Sequence, residues 1–212
     1  MSQFFLLIDT STEQGIVALF DGEKLLKEVK LPYGLRNSRS LLPELDRLFQ
    51  EFQKRPQDLS FVAVGVGPGS YTGIRVGVVV AKMIHMTCKI PLVGVCSLKA
   101  YVPSKEGKFT ALLDARVAGV YLLRGERVGE RVIWLGEPKA CLVEKLEGVL
   151  VTPQEKLKEK ILGHQWEIVQ SDGFVLGMEA LRDFEAGKVS SDGHLDILYL
   201  RKTQAEIERD MS

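Results

Sequence analysis

The 212-residue sequence has no excess of either charge, because 28 lysine and arginine residues balance 28 aspartate and glutamate residues. A domain that binds nucleic acid by itself usually carries a basic surplus, so this balance argues against a chain that grips RNA or DNA unaided. Cysteines are also scarce: Cys88, Cys96 and Cys141 are an odd number without C-x-x-C spacing. They offer no zinc signature and fit a reducing compartment.

Histidine pairs and long apolar runs are missing as well. His85, His164 and His194 show neither H-E-x-x-H nor H-x-x-x-H spacing, so a metal would need ligands gathered from distant segments. The first apolar run ends at Asp9, which is far short of a signal peptide or a membrane span. We therefore expect a cytoplasmic protein without a membrane contact. The single asparagine, Asn37, hints at a heat-adapted source.

The first half alternates strand and helix patterns. Three strands open it, over residues 4–8, 15–20 and 23–31, and the last two join at the hairpin signal Asp21-Gly22. Helical spacing follows over Leu41–Phe52, and a second helix, Tyr71–Cys88, is apolar on nearly all sides. Short Val-rich strands precede and follow that second helix. Mixed strands and helices indicate an α/β fold.

The second half repeats the opening of the first. An apolar strand ends at Asp114 and a turn reaches Gly119 before the next strand, as Asp9 and Gly15 do in the first half. The polar stretch 103–108 carries both proline and glycine, as linkers do. We therefore predict two duplicated domains, 1–103 and 108–212, with a second copy that is truncated and less regular. The C-terminal tail is expected to pack back on the first domain.

The glycine-rich stretch from Gly65 to Arg75 is the obvious place to look for function. A strand that runs through a glycine loop into a helix N-terminus can bind an anion. The residues match no P-loop, no G-x-G-x-x-G fingerprint and no nucleophile elbow. Two interpretations stay open: a tight turn that lets helices approach closely, and a contact with a phosphate or a partner protein.

Asp9 and Asp114 carry the remaining chemical hypothesis. Each ends an apolar strand, where two carboxylates could hold a metal-phosphate group or act as acid and base. Alternatively, each carboxylate accepts backbone N–H bonds and shapes its own turn. Among the thiols, only Cys96 is placed near a strand end, where it could be reactive. The histidine of the apolar helix, His85, fits a structural role.

Three stretches resemble the TsaB family, also called YeaZ. They are Ile8-Asp9-Thr10-Ser11, the run from Gly67 to Gly77, and Leu113-Asp114-Ala115-Arg116 followed by Val120-Tyr121. The close of the chain, Tyr199-Leu200-Arg201, is similar too. Within the run, the motif residues are Gly67, Pro68, Gly69, Ser70 and Arg75.

That resemblance implies two duplicated domains of the actin-like/Hsp70-like ATPase (ASKHA) fold. It also implies the role of a non-catalytic partner or scaffold in forming threonylcarbamoyladenosine, next to the anticodon of tRNAs that read ANN codons. The larger paralogue TsaD binds metal and transfers the threonylcarbamoyl group, and TsaE supplies an ATPase. ATP with magnesium and the metal would thus belong to partner subunits, and tRNA would be reached through the complex.

The family's contact with TsaD is a bundle of two helices from each protein, which correspond here to Leu41–Phe52 and Tyr71–Cys88. Gly73, Gly77 and Ala81 recur every four positions and would form a flat face for close helix packing. We therefore assign the partner interface to Leu41, Leu45, Thr72, Gly73, Val76, Gly77, Val80 and Ala81. The same apolar face would allow a homodimer when the partner is absent.

Two departures from the superfamily pattern argue against catalysis. Nucleotide-binding members usually carry D-x-G in the first phosphate loop, whereas this chain has Ser11 at the glycine position. We therefore treat Asp9, Thr10, Ser11 and Asp114 as vestigial phosphate-loop residues and expect no cofactor. Metal-binding paralogues use an H-x-x-x-H helix, and the corresponding helix start here offers only Asn37. The rival hypotheses are an ATP-dependent kinase or ATPase of the superfamily and a metallopeptidase-like protein.

Overall fold

In the computed structural model, residues 3–34, 36–116, 119–141 and 146–200 are described, with only the backbone at 36–38. The first sheet begins with three antiparallel strands, β1 (Phe4–Asp9), β2 (Ile16–Asp21) and β3 (Lys24–Lys30). The strands β4 (Phe61–Gly65) and β5 (Leu92–Val95) then add in parallel on the other side of β1. The resulting order is β3-β2-β1-β4-β5. The predicted hairpin at Asp21-Gly22 is confirmed, with Gly22 at φ +59°.

The second sheet repeats this arrangement strand for strand. The three strands β6 (Gly107–Asp114), β7 (Val120–Val128) and β8 (Arg131–Cys141) are antiparallel. The strands β9 (Val149–Thr152) and β10 (Trp166–Ile168) then run parallel to β6, giving the order β10-β9-β6-β7-β8. In both sheets the first strand is central, with its two antiparallel successors on one side. The predicted duplicated α/β fold is therefore confirmed.

Four helices flank these sheets in the described part of the chain: α1 (Arg36–Glu51), α2 (Tyr71–Cys88), α3 (Leu157–Lys160) and α4 (Gly173–Glu185). Two 3-10 helices, Pro56–Asp58 and Ser97–Ala100, complete the list. The helix α1 begins five residues earlier than its apolar spacing predicts, so Pro43 lies inside it. The helix predicted over residues 154–162 is reduced to the single turn α3, and this reduces the helical cover of the second sheet.

The chain divides into two compact units. The first comprises Met1–Ala100 with Ser171–Ile197, and the second comprises Tyr101–Gln170 with Leu198–Ser212. The sequence predicts a boundary between residues 103 and 108 and a C-terminal tail that packs back on the first domain. In the structure, the segment that belongs to the first unit is 171–197, which contains α4. Arg201, from the C-terminal resemblance, lies outside the described residues, as does the side chain of Asn37.

The return of α4 to the first sheet is explained by aromatic packing and one backbone contact. Phe5, Phe20 and Phe61 stack with centroid distances of 4.4 and 4.6 Å, and Phe184 of α4 stacks on Phe61 at 4.2 Å. At the start of α4, the Gly173 N–H donates to a carboxylate oxygen of Glu28 on β3 at 3.0 Å. Because the α4 N-terminus carries partial positive charge, this carboxylate is well placed to fix it.

A partly buried ion cluster, centred on Glu179, also ties α4 to the 3-10 helix Ser97–Ala100. Glu179 accepts hydrogen bonds from Lys99 at 2.7 Å and from Arg182 at 2.6 Å, and its side chain is 9% exposed. We expect Glu179→Leu to lower the free energy of unfolding by about 3 kcal/mol, because it leaves Lys99 without its carboxylate. Urea denaturation measures this loss. Asp183→Ala, which breaks the more exposed Lys188–Asp183 pair, should cost less than about 1 kcal/mol.

Candidate functional site

The loop between β1 and β2 begins with a buried aspartate. Asp9 is 5% exposed, and its Oδ1 accepts a hydrogen bond from the Ser11 N–H at 2.8 Å. Burial raises the pKa of Asp9, although the hydrogen bond from the Ser11 N–H partly offsets the rise. Gly65 on β4 provides the space, because a Cβ there would lie only 2.4 Å from the Asp9 carboxyl carbon. The carboxylate is thus enclosed by the protein.

The glycine-rich stretch forms a tight turn from β4 into α2. Gly67 has φ +97°, and a cis peptide bond joins it to Pro68. The Gly67 N–H donates to Ser97 Oγ at 3.2 Å, and the Ser97 N–H donates back to the Gly67 carbonyl at 2.8 Å. Ser70 caps α2, since its Oγ accepts from the Gly73 N–H at 3.2 Å. This geometry supports the tight-turn interpretation of the motif.

The start of α2 rests directly on the β1–β2 loop. The Ser70 N–H donates to the Ser11 carbonyl at 2.6 Å, and Thr10 Oγ1 donates to the Gly73 carbonyl at 2.7 Å. A Cβ at Gly69 would lie 2.2 Å from the Ser11 carbonyl oxygen, and one at Gly73 only 2.1 Å from the Thr10 carbonyl oxygen. Glycine is therefore required at both positions by the approach of two backbone segments.

The small-residue face of α2 consequently packs inside the chain. A Cβ added at Gly77 would meet Thr10 Oγ1 at 2.7 Å, and Ala81 is fully buried. Our expectation that the Gly73, Gly77 and Ala81 stripe is free for a partner is wrong, because this stripe faces the chain's own β1 and its loop. Other members of the assigned interface are buried too: Leu41, Leu45 and Val80 are at most 7% exposed. Of the rest, Thr72 is exposed and Val76 half-buried.

A different side of α2 is exposed and largely apolar. Tyr71, Val79, Met83 and Met86 are 53 to 69% exposed, and Arg75 lies over the Tyr71 ring at 3.9 Å. We name these five residues the exposed α2 face. Their spacing of three or four residues is the signal that could have revealed the face from sequence. Leu42 of α1 is a further apolar side chain with 54% exposure.

The aspartate at the start of the loop between β6 and β7 has different hydrogen-bond partners. Asp114 ends β6, its Oδ1 accepts from the Arg116 N–H at 2.8 Å, and its Oδ2 accepts from Lys160 at 2.8 Å. The Asp114 N–H donates a hydrogen bond to Gln154 Oε1 at 2.7 Å. Burial works against ionisation of Asp114, but the hydrogen bonds and charges of Lys160 and Arg116 outweigh it, so its pKa lies below the usual value.

The two aspartates share one turn geometry, in which the carboxylate accepts the N–H two residues ahead. A carboxylate that binds magnesium and phosphate must present free oxygens to them. Asp9 is enclosed and both Asp114 oxygens are already engaged, so neither fits that task as arranged here. Among the described residues, no group of three or more histidine, cysteine, aspartate and glutamate side chains could hold a metal ion.

Opposite pH dependence should distinguish the two aspartates. Because the folded pKa of Asp9 is raised, its contribution to stability is complete below the unfolded pKa and declines as pH rises through the folded value. Because the folded pKa of Asp114 is lowered, its contribution is present above the unfolded pKa and is lost as pH falls through the folded value. Unfolding free energies of Asp9→Asn and Asp114→Asn between about pH 2 and 9 should therefore differ from the parent with opposite slopes. If both variants differed from the parent with slopes of the same sign, the opposite pKa shifts assigned to Asp9 and Asp114 would be contradicted.

The remaining candidate groups have structural roles. Burial raises the pKa of the Cys96 thiol to about 12, so it is not a reactive thiolate at neutral pH. His85 lies near the end of α2, and its Nδ1 is 2.8 Å from the Ile90 carbonyl oxygen. The structural interpretation of His85 is therefore supported.

Two equivalent five-stranded sheets, each with a loop aspartate after its central strand, define the class as proteins with an actin-like ATPase-type fold. The fold matches the solved structure of YeaZ from Pseudomonas aeruginosa with a TM-score of 0.80 at 20% identity, covering 92% of this chain and 100% of that one. No helix among the described residues has the length and apolar character needed to cross a bilayer.

A family model described as "TsaD: tRNA N6-adenosine threonylcarbamoyltransferase" matches residues 36–180, and the chain belongs to this family. Among curated relatives, the chain is 28% identical to the tRNA threonylcarbamoyladenosine biosynthesis protein TsaB of Escherichia coli, over 94% of this chain and 95% of that protein. It is 27% identical to the protein of the same name from Buchnera aphidicola of Schizaphis graminum, over 81% and 83% of the two chains. The resemblance to TsaB (YeaZ) proteins is confirmed.

Proposed function

We propose that this chain is the non-catalytic partner of a TsaD-type transferase in forming threonylcarbamoyladenosine, next to the anticodon of tRNAs that read ANN codons. The observation that carries the proposal is the exposed α2 face, an apolar surface on a helix whose small-residue side is already packed. A surface of this kind on an isolated chain marks a protein contact. The names of the TsaB relatives describe biosynthesis of this same nucleoside.

The two aspartate loops support a non-catalytic role. Asp9 is buried beneath the turn that holds α2, and Asp114 is neutralised by Lys160. In an ATP-dependent enzyme these carboxylates would face a metal-phosphate group. Here they maintain the loops, so ATP, magnesium and the catalytic metal are assigned to the partner subunits. Isothermal titration of the isolated chain with ATP and magnesium should show no micromolar binding, whereas such affinity would favour an ATP-dependent enzyme.

The helices α1 and α2 also provide the surface for the partner proteins in this proposal. The exposed α2 face and Leu42 of α1 form the contact with TsaD, TsaE joins the complex, and tRNA is bound by the assembly. Without TsaD, the exposed α2 face pairs with a second copy. The balanced net charge fits a cytoplasmic scaffold that leaves most of the RNA contact to its partners.

Complementation tests the function directly. In cells depleted of their own TsaB, expression of this chain together with its cognate TsaD and TsaE should restore threonylcarbamoyladenosine, measured by mass spectrometry of digested tRNA. The matched control omits only this chain and should leave the nucleoside absent. Asp114→Asn should restore it as well as the parent does, because the chain has no catalytic carboxylate in this proposal. Loss of the nucleoside with a folded Asp114→Asn chain would contradict the non-catalytic role.

A further inference from the structure

Part of α2 has the residue spacing of a helix that packs against another helix. Val79, Met83 and Met86 lie four and three residues apart, which is the spacing of the apolar d and a positions in a heptad repeat. Each of the three side chains is more than half exposed. They therefore form an apolar seam along the exposed α2 face.

A line of basic residues runs beside this seam. Arg75, Lys82 and Lys89 lie seven residues apart, so they take successive g positions in the heptad that has Val79 and Met86 at d. Arg75 and Lys89 are exposed, and Lys82 is half-buried. We name these three residues the basic edge of α2. In a pair of packed helices, charged side chains at g positions contribute to the choice of partner.

No acidic residue of α2 offsets the basic edge. The sequence contains no aspartate or glutamate between Asp58 and Glu106, although the chain as a whole is balanced in charge. Among the residues that the structure describes, neither Lys82 nor Lys89 forms an ion pair. The exposed α2 face therefore combines an apolar seam with charge of one sign.

The acidic residues of the loop that adjoins the end of α2 are engaged within that loop. The loop touches the helix at Gly193, where an added Cβ would lie 2.8 Å from Cδ2 of His85. Asp192 Oδ1 accepts a hydrogen bond from the His194 N–H at 2.9 Å, and Asp196 Oδ1 lies 3.0 Å from His194 Nε2. These carboxylates interact with their own loop and form no ion pair with the basic edge.

A second copy of α2 does not supply the missing negative charge. In an antiparallel pair of helices, g positions face g positions, so the basic edge of one copy would meet the basic edge of the other. In a parallel pair, g positions face e positions, and the e positions of α2 are Gly73, Val80 and Thr87, which carry no charge. Charge therefore opposes the first arrangement and does not assist the second.

We propose that the exposed α2 face recognises a helix with apolar side chains at its own a and d positions and aspartate or glutamate residues facing the basic edge. This inference rests on the proposed function and specifies the chemistry of the TsaD-type partner at that contact. The apolar seam supplies most of the affinity, and the charges select the acidic helix over a second copy of this chain. The self-contact then forms only when the acidic partner is absent.

Calorimetric titration of the full chain with its cognate TsaD, at salt concentrations from about 50 to 500 mM, tests the inference. The affinity should fall as the salt concentration rises. At low salt, Lys82→Glu should weaken binding about tenfold and reduce the salt dependence, whereas Lys82→Arg should bind as the parent does. Lys24→Glu is the matched control, because it makes the same charge change at an exposed position of β3, an edge strand of the first sheet. It should leave the affinity unchanged.

Self-association of the chain without TsaD should respond in the opposite way. Sedimentation equilibrium should show that the self-contact does not weaken as salt rises, because no opposite charges face each other in it. Lys82→Gln removes one charge of the basic edge, so it should weaken TsaD binding about threefold without weakening self-association. A single variant thus separates the two occupants of this face.

Two results would overturn the inference while the proposed function stands. One is a TsaD affinity that does not depend on salt. The other is equal TsaD binding by Lys82→Glu and Lys24→Glu while Met83→Lys abolishes it. A parent chain that does not bind TsaD would overturn both the inference and the proposed function. Thermal unfolding of each variant checks that loss of binding does not come from loss of the fold.

Discussion

Met83→Lys is expected to abolish co-purification of this chain with its TsaD partner, with at least a hundredfold loss of affinity. Met83 is 53% exposed in the isolated chain and lies within the exposed α2 face, between Val79 and Met86. Contact with a partner would bury it, and a lysine ammonium in a desolvated apolar contact has no counter-charge on this face. The monomer should keep its stability, since the lysine points into solvent.

Val128→Lys is the matched control for this experiment. Val128 has the same exposed fraction as Met83, 53%, but lies in the second unit, outside the proposed contact with TsaD. Tagged variants co-expressed with TsaD can be compared by pull-down and then by calorimetric titration. Equal retention of TsaD by both variants would contradict the assignment of the exposed α2 face, and loss with both would indicate that the contact is not confined to α2.

Gly73→Ala is expected to destabilise the chain by about 2 kcal/mol or more, although alanine is the better helix former. The added Cβ would lie 2.1 Å from the Thr10 carbonyl oxygen, and that backbone atom cannot move without disturbing the loop after β1. A helical glycine replaced by alanine normally gains about 1 kcal/mol, so the clash must exceed this gain. Thermal and urea unfolding measure the difference.

Thr72→Ala is the control for the glycine substitution. Thr72 is the neighbouring position and is exposed, so its truncation should change the unfolding free energy by less than about 0.5 kcal/mol. Gly77→Ala should fall between the two, because its Cβ would meet a side-chain atom, Thr10 Oγ1, at 2.7 Å, whereas at Gly73 the clash is with a backbone oxygen at 2.1 Å. A stable Gly73→Ala chain would show that the α2–loop contact is loose.

The packing of α2 against the loop between β1 and β2 also changes how a larger substitution at Gly77 must be interpreted. The sequence-based assignment of Gly77 to the partner interface implies that Gly77→Leu would leave the monomer folded and remove only the partner. Gly77 is buried against Thr10, Ile8 and Val64, so a leucine there should impair folding itself. Loss of TsaD binding by Gly77→Leu would therefore not identify an interface, whereas Met83→Lys would.

Strand positions, the repeat and the glycine motif were predictable because they depend on neighbours along the chain. The apolar run ending at Asp9 and the one ending at Asp114 are local patterns, and each fixes a strand and the turn after it. The choice between a tight turn and an anion site was not predictable at Gly69 and Gly73. It depends on Thr10 and Ser11, which come from a loop about 60 residues earlier in the sequence.

The ionisation of the two aspartates shows the same limit. Both follow an apolar strand, and both accept the N–H two residues ahead. Their pKa values nevertheless shift in opposite directions, because Asp9 is enclosed beside Gly65 while Asp114 meets Lys160 from α3. A local motif could not distinguish them, since burial and a distant lysine decide the difference.

The sequence by itself determined the α/β class, the repeat of the strand–aspartate–turn–strand opening, the scarcity of metal ligands and the resemblance to TsaB proteins. These features follow from composition, periodicity and local motifs. The tertiary structure alone decided which side of α2 is exposed, because small and large residues recur at helical spacing on different sides of the same helix. The small side packs against the chain's own loop, where two backbones meet, and that leaves Tyr71, Val79, Met83 and Met86 in solvent.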